Sequence, residues 1–74
     1  MFNLRKLGRE CKKARQDKGY TQLHVAFEVN YTPENISAFE CGRNDNLRIF
    51  LWYIQNCFTE ESLLDCIRRV NNDN

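Results

Sequence analysis

Leu4, Leu7, Cys11 and Ala14 recur at spacings of three and four, an apolar stripe that predicts a first helix from about Leu4 to Lys18. Gly19 follows its last turn, where a left-handed cap favours a residue without Cβ. Thr21 caps a second helix of about two turns, with Val25, Ala26 and Val29 facing inward. Asn30 stands where the next turn needs positive φ, which asparagine tolerates better than most residues. Thr32 and Pro33 then open a third helix: threonine caps free amides, proline needs no amide at the first position, and Glu34 meets the positive end of the dipole. Ile36 and Phe39 of this helix point to the core, and Gly42 ends it. Asp45 or Asn46 caps a fourth helix whose spacing assigns Leu47, Phe50, Leu51 and Ile54 to the core face. Thr59, followed by Glu60 and Glu61, starts a fifth over about 59–70, with Leu63, Leu64, Ile67 and Val70 apolar and Arg68 and Arg69 at its negative end. Asn71 to Asn74 are expected to fray. No stretch alternates as a strand does, so the expectation is one compact all-α domain of five helices over residues 1–74.

Composition narrows the function without naming it. A chain of 74 residues supports a small core of marginal stability, which dimerisation would reinforce. No apolar run approaches the roughly 20 residues of a membrane helix and no secretory leader is visible, so the expected location is the cytoplasm, with no membrane partner. Cys11, Cys41, Cys57 and Cys66 lie 30, 16 and 9 residues apart, without a Cys-x-x-Cys pair and with only His24 to join them. That pattern leads us to expect no metal site and no cofactor. Four cysteines permit a disulfide framework by count, but long helical patterns favour reduced, packed thiols. The net charge of +1 hides an asymmetry. Residues 1–20 carry seven basic and two acidic side chains, a balance of +5, whereas the other 54 carry four basic and eight acidic, a balance of −4. A basic first helix suits steering towards phosphate, through Lys12, Lys13 and Lys18 for example, and equally suits a solvated, salt-bridged surface.

The residues Leu7-Gly8, Arg15, Gly19, Thr21-Gln22, Val25-Ala26, Val29, Ile36-Ser37, Glu40 and Gly42, taken in register, resemble the Cro/phage-repressor family of helix-turn-helix proteins, often called XRE-like. The likeness covers roughly residues 7–56, with the motif itself at about 21–42. It implies a lambda-repressor-like domain whose third helix enters the major groove of double-stranded DNA, and a fifth helix that helps form a two-fold homodimer. It also implies an ion pair between Arg15 and Glu40 that ties helix 1 to the reading helix, and a phosphate contact from Gln22.

The candidate DNA-binding residues are Gln22, Tyr31, Thr32, Pro33, Glu34, Asn35, Ser37, Ala38, Arg43 and Asn44. Asn35 has the amide that pairs with adenine, Glu34 can accept from the cytosine amino group, and Ser37 can bond to several partners. Tyr31, Arg43, Asn44 and Arg48 flank the helix with donors suited to phosphate. Structural readings stand beside these: Glu34 favours a helix start, Ser37 borders the core, and Pro33, Ala38 and Cys41 are poor base readers. Leu23 and Phe27 lie four apart on helix 2, and Ile49, Trp52 and Tyr53 add a second stripe on helix 4. Each stripe is either a widened core or a contact surface for a protein partner.

Two function classes follow. The first is a sequence-specific DNA-binding transcriptional regulator, a small phage or bacterial repressor acting as a homodimer through the helix that starts at Pro33. The alternative is a helix-turn-helix-shaped protein-interaction module, an antirepressor or adaptor, with weakened DNA contacts. No catalytic residues are expected, since one histidine without a clustered acid or nucleophile offers no acid–base pair.

Overall fold

The computed structural model describes residues 1–72. Among them are five helices and no strand: α1 (Leu4–Asp17), α2 (Gln22–Val29), α3 (Pro33–Glu40), α4 (Leu47–Cys57) and α5 (Glu60–Asn71). Every helix starts on a polar cap whose side chain accepts from an amide of the first turn: Asn3, Thr21, Thr32, Asn46 and Thr59. Thr32 with Asn35, and Thr59 with Ser62, close reciprocal capping boxes. The turns after α1, α2 and α3 use the left-handed region at Gly19, Asn30 and Gly42, with φ of 82°, 62° and 75°. At α3 the Gly42 amide donates to the Phe39 carbonyl at 3.0 Å and the Arg43 amide to the Ala38 carbonyl at 2.8 Å, which stops the helix after two turns.

α1 is the hub, packing against α3, α4 and α5, while α2 packs on α3 and α4. Its stripe is the expected one: Leu7 and Cys11 are buried, and Leu4 and Ala14 lie against the core. Val25, Ala26 and Val29 of α2 and Ile36 and Phe39 of α3 are likewise buried. Gly8 is the point of closest approach between α1 and α3. A Cβ there would sit 2.5 Å from the Phe39 carbonyl oxygen and 2.6 Å from that of Glu40.

α4 sits rotated from its expected phase. Ile49, Trp52, Tyr53 and Cys57 are buried, whereas Leu47 and Leu51 are 66% and 45% exposed and Phe50 and Ile54 are half-buried. The assignment of Leu47 and Leu51 to the core is therefore corrected, and so is Trp52 as a surface for a protein partner. Arg48, Gln55 and Asn56 are exposed and mark its outer side, but Leu47 and Leu51 share that side, so the apolar run by itself does not settle which face is buried. Polar handles choose it. The Tyr53 hydroxyl reaches the Glu40 carboxylate, and the Trp52 indole N–H donates to Glu28 at 3.4 Å while its ring meets Tyr20 edge-on at 5.2 Å. On α5 the apolar set divides: Val70 is buried together with Cys66 and Leu63 is half-buried, while Leu64 and Ile67 are exposed. Asn71 is helical rather than frayed, and its carbonyl accepts from the Met1 ammonium at 2.6 Å. The expected fraying of Asp73 and Asn74 lies outside the described residues.

Helix propensity alone says that Gly8→Ala stabilises α1 by about 1 kcal/mol. The facing backbone carbonyls cannot rotate away as a side chain could, so the methyl must push α1 and α3 apart, and overpacking of this kind costs about 1–3 kcal/mol or more. We expect Gly8→Ala to lower the urea midpoint of the domain. A raised midpoint would show that α1 and α3 pack less closely than described.

Candidate nucleic-acid interface

The helix-turn-helix pair α2–α3 is fixed from behind by one buried carboxylate. Glu40, in the last turn of α3, accepts from Arg15 Nε at 2.7 Å and Arg15 Nη2 at 3.1 Å, from Gln22 Nε2 at 3.1 Å, and from the Tyr53 hydroxyl. The remaining Arg15 donor, Nη1, reaches the Tyr20 carbonyl at 2.7 Å. Arg15 and Glu40 are both buried, and no buried side-chain nitrogen or oxygen among the described residues lacks a partner. Burial alone would push the Glu40 carboxyl up. Hydrogen bonds from Arg15, Tyr53 and Gln22, with the charge of Arg15, outweigh it and hold the carboxyl below the usual carboxylate range. Burial and the bond to Glu40 together push the Tyr53 phenol up, so the hydroxyl stays protonated as the donor.

With that side anchored, the opposite side of α3 faces out. Glu34, Asn35 and Cys41 are exposed, and Pro33, Ser37 and Ala38 are half-buried along the flanks. Thr32, also exposed, is the cap. Asn35 is less free than its exposure suggests. Its Oδ1 accepts from the Thr32 amide at 3.1 Å and the Thr32 hydroxyl at 3.0 Å. A bidentate bond to adenine needs that oxygen as well as the amide nitrogen, so base reading by Asn35 competes with the cap.

The flanks are also partly committed. Gln22 occupies the first position of α2, but its amide nitrogen points to Glu40, which leaves one N–H and the carbonyl for any outside contact. Tyr31 lies half-buried in the turn with the Arg48 guanidinium 5.4 Å over its ring. Asn44 is half-buried and accepts from the Asn46 amide at 3.3 Å, a turn-forming role. Arg43 is exposed with no ion-pair partner among the described residues. Of the flanking set it is the free cation nearest the end of α3.

The sequence alone places Tyr53 in a possible contact stripe on helix 4, whereas the structure makes it the fourth donor to Glu40. The available signal was a hydroxyl on an otherwise apolar face, which needs a buried acceptor. The four cysteines carry no bridge: Cys11, Cys57 and Cys66 are buried and Cys41 is exposed. Burial pushes the three buried thiols up, which makes them poor nucleophiles. Among the described residues no three His, Cys, Asp or Glu side chains converge as a metal site would need. No helix there is long and apolar enough to cross a membrane.

Glu40 titrates below its unfolded value, near 4.3 for a free glutamate. Its contribution to stability is therefore complete above that value and is lost as pH falls through the folded one. Tyr53→Phe removes a hydrogen bond to a charged group, worth about 1.5–3 kcal/mol, and weakens the stabilisation of the ionised form. We expect the variant to have a lower urea midpoint at neutral pH and to begin acid unfolding at a higher pH than the parent chain. Parallel urea-midpoint-against-pH curves would remove Tyr53 from the charge network.

Comparison with protein-family models, with curated proteins and with solved structures returns no match to this chain.

Proposed function

We propose that the domain is a sequence-specific DNA-binding transcriptional regulator, a small repressor of the phage or bacterial type similar to the Cro-like family. The observation that carries this reading is a two-turn α3 locked on one side by Glu40, with Glu34 and Asn35 exposed on the other and the start of α2 beside it through the Gln22–Glu40 bond. A helix held only by its inner face is a rigid, outward element of the kind a major groove accepts. In this reading Gln22, Tyr31, Arg43 and Asn44 hold phosphates and fix register, Thr32 acts as the cap because both its donors are bonded to Asn35, and Glu34, Asn35, Ser37, Pro33 and Ala38 meet base edges. The four unbridged cysteines fit work in a reducing cytoplasm.

Reading a two-fold operator takes two copies, with their α3 helices about 34 Å apart, one duplex turn. The exposed apolar side chains Leu64 and Ile67 of α5, with Leu47 and Leu51 of α4, are the surfaces that such a homodimer would cover. Repression then follows from occlusion of a promoter.

A second reading is favoured by one specific observation. Leu23 and Phe27 are 67% and 82% exposed on α2, one turn apart, and Glu34 puts a negative charge at the exposed start of α3. That combination suits a protein partner, as in an antirepressor or adaptor.

Titration of the protein against duplex DNA at low and moderate salt separates the two. A steep salt dependence supports the regulator, and absence of binding even at low salt supports the adaptor. Under the first reading, Arg43→Ala weakens every duplex alike, and Asn35→Ala relaxes the preference at one base position by about 1–3 kcal/mol. Selection from random duplexes that returned the parental motif for Asn35→Ala would strike Asn35 from the base-reading set. Sedimentation at high concentration should give a dimer, and a monomer there would remove α5 as a dimer surface.

A further inference from the structure

Once Arg15 is consumed inside the molecule, α1 still carries a basic strip on its outer side. Arg5, Arg9 and Lys12 follow one another at i, i+4 and i+7, hence on a single face, and all three are exposed. None has an ion-pair partner among the described residues. The nearby acid Glu10 is occupied by Arg69, at 2.7 Å. Like charges one turn apart cost a helix a few tenths of a kcal/mol per pair, and a single acid at position 9 would relieve both pairs. A surface that serves only solubility mixes its signs; this one does not.

The strip is joined to the reading helix by backbone contact. A Cβ on Gly42, just past the end of α3, would lie 2.5 Å from Arg5 Cα, and the Gly8 position is pressed equally close to the Phe39 and Glu40 carbonyls. Arg5 therefore stands against the C-terminal end of α3, next to where Arg43 emerges, and Arg9 and Lys12 lead away from it along α1. At 1.5 Å per residue the strip is about 10 Å long, and its three cations can each meet one phosphate of a duplex backbone. Lys13 and Lys18, by contrast, line the groove between α1 and α5.

We propose that Arg5, Arg9 and Lys12 form a second phosphate-binding track, which grips the duplex backbone beyond the groove occupied by α3 and continues the contact begun by Arg43. The inference rests on the DNA-binding reading above and adds to it a surface outside the helix-turn-helix motif.

The test is the salt dependence of binding to one duplex, measured for the parent chain, for Arg5→Gln/Arg9→Gln/Lys12→Gln, and for the charge-matched control Lys13→Gln/Lys18→Gln/Arg68→Gln. Each phosphate contact contributes about 0.9 to the log–log slope, so the strip variant should lose about 2–3 from the slope and the control less than 1. Equal slopes for the two variants would overturn the track while leaving the regulator reading intact. A parent chain that binds no duplex at low salt would overturn both. Should the triple variant fail to fold, Arg9→Gln and Lys12→Gln singly carry the test, each expected to lower the slope by about 0.9. An unchanged slope in both would overturn the track.

Discussion

A carboxylate taken out of water must be met by donors on both oxygens, because its desolvation penalty amounts to several kcal/mol. Glu40 is met by four, and they come from α1, α2 and α4. Arg15 contributes two parallel bonds, the geometry that makes guanidinium the cation of choice for a buried pair. Its third bond, to the Tyr20 carbonyl, extends the network into the turn that launches α2. One side chain in the last turn of α3 thus sets the position of that helix against three others.

Such a constraint matters because α2 and α3 have only eight residues each. Helices this short do not persist by propensity in water, so their orientation is inherited from tertiary contacts. Apolar packing through Val25, Ile36 and Phe39 supplies most of the adhesion, but such contacts are non-directional. The Glu40 network and the close approach at Gly8 supply the direction. Together they hold the outer side of α3 at a defined angle without using any of its exposed residues. Binding specificity built on a fixed helix end depends on this kind of support from behind.

The ends of the helices were readable because caps obey local stereochemistry. Thr21, Thr32, Thr59, Gly19, Asn30 and Gly42 all occupy the roles their residue types predict. The α1 stripe was readable for a related reason, since its opposite face is charged and only one side of it can be buried. α4 offered a weaker contrast, with Arg48, Gln55 and Asn56 its only polar residues and Leu47 and Leu51 exposed beside them. With Leu47, Ile49, Phe50, Leu51, Trp52, Tyr53 and Ile54 in one run, its phase is decided by where a phenol and an indole find partners, and those partners sit on other helices. The same holds at the candidate site. Asn35 and Gln22 look free in sequence, yet each spends part of its amide on the protein itself, at Thr32 and at Glu40.

That double commitment bears on how effects at the site should be attributed. Gln22 is both a donor to a buried carboxylate and a residue at the start of α2, so under the proposed DNA-binding function its loss would weaken binding through either route. A positioning effect carries a stability cost and leaves the salt slope unchanged, because no phosphate contact is lost. A contact effect lowers the slope and leaves the fold intact. Among the described residues the side chains of Arg43, Arg9 and Lys12 have no ion-pair partner, so in that proposal their substitution reports contact rather than positioning. Glu40 and Tyr53 never reach the surface, so theirs reports positioning alone. The two sets bracket Gln22, and comparison with them separates the part it plays in holding α3 still from the part it plays in what α3 touches.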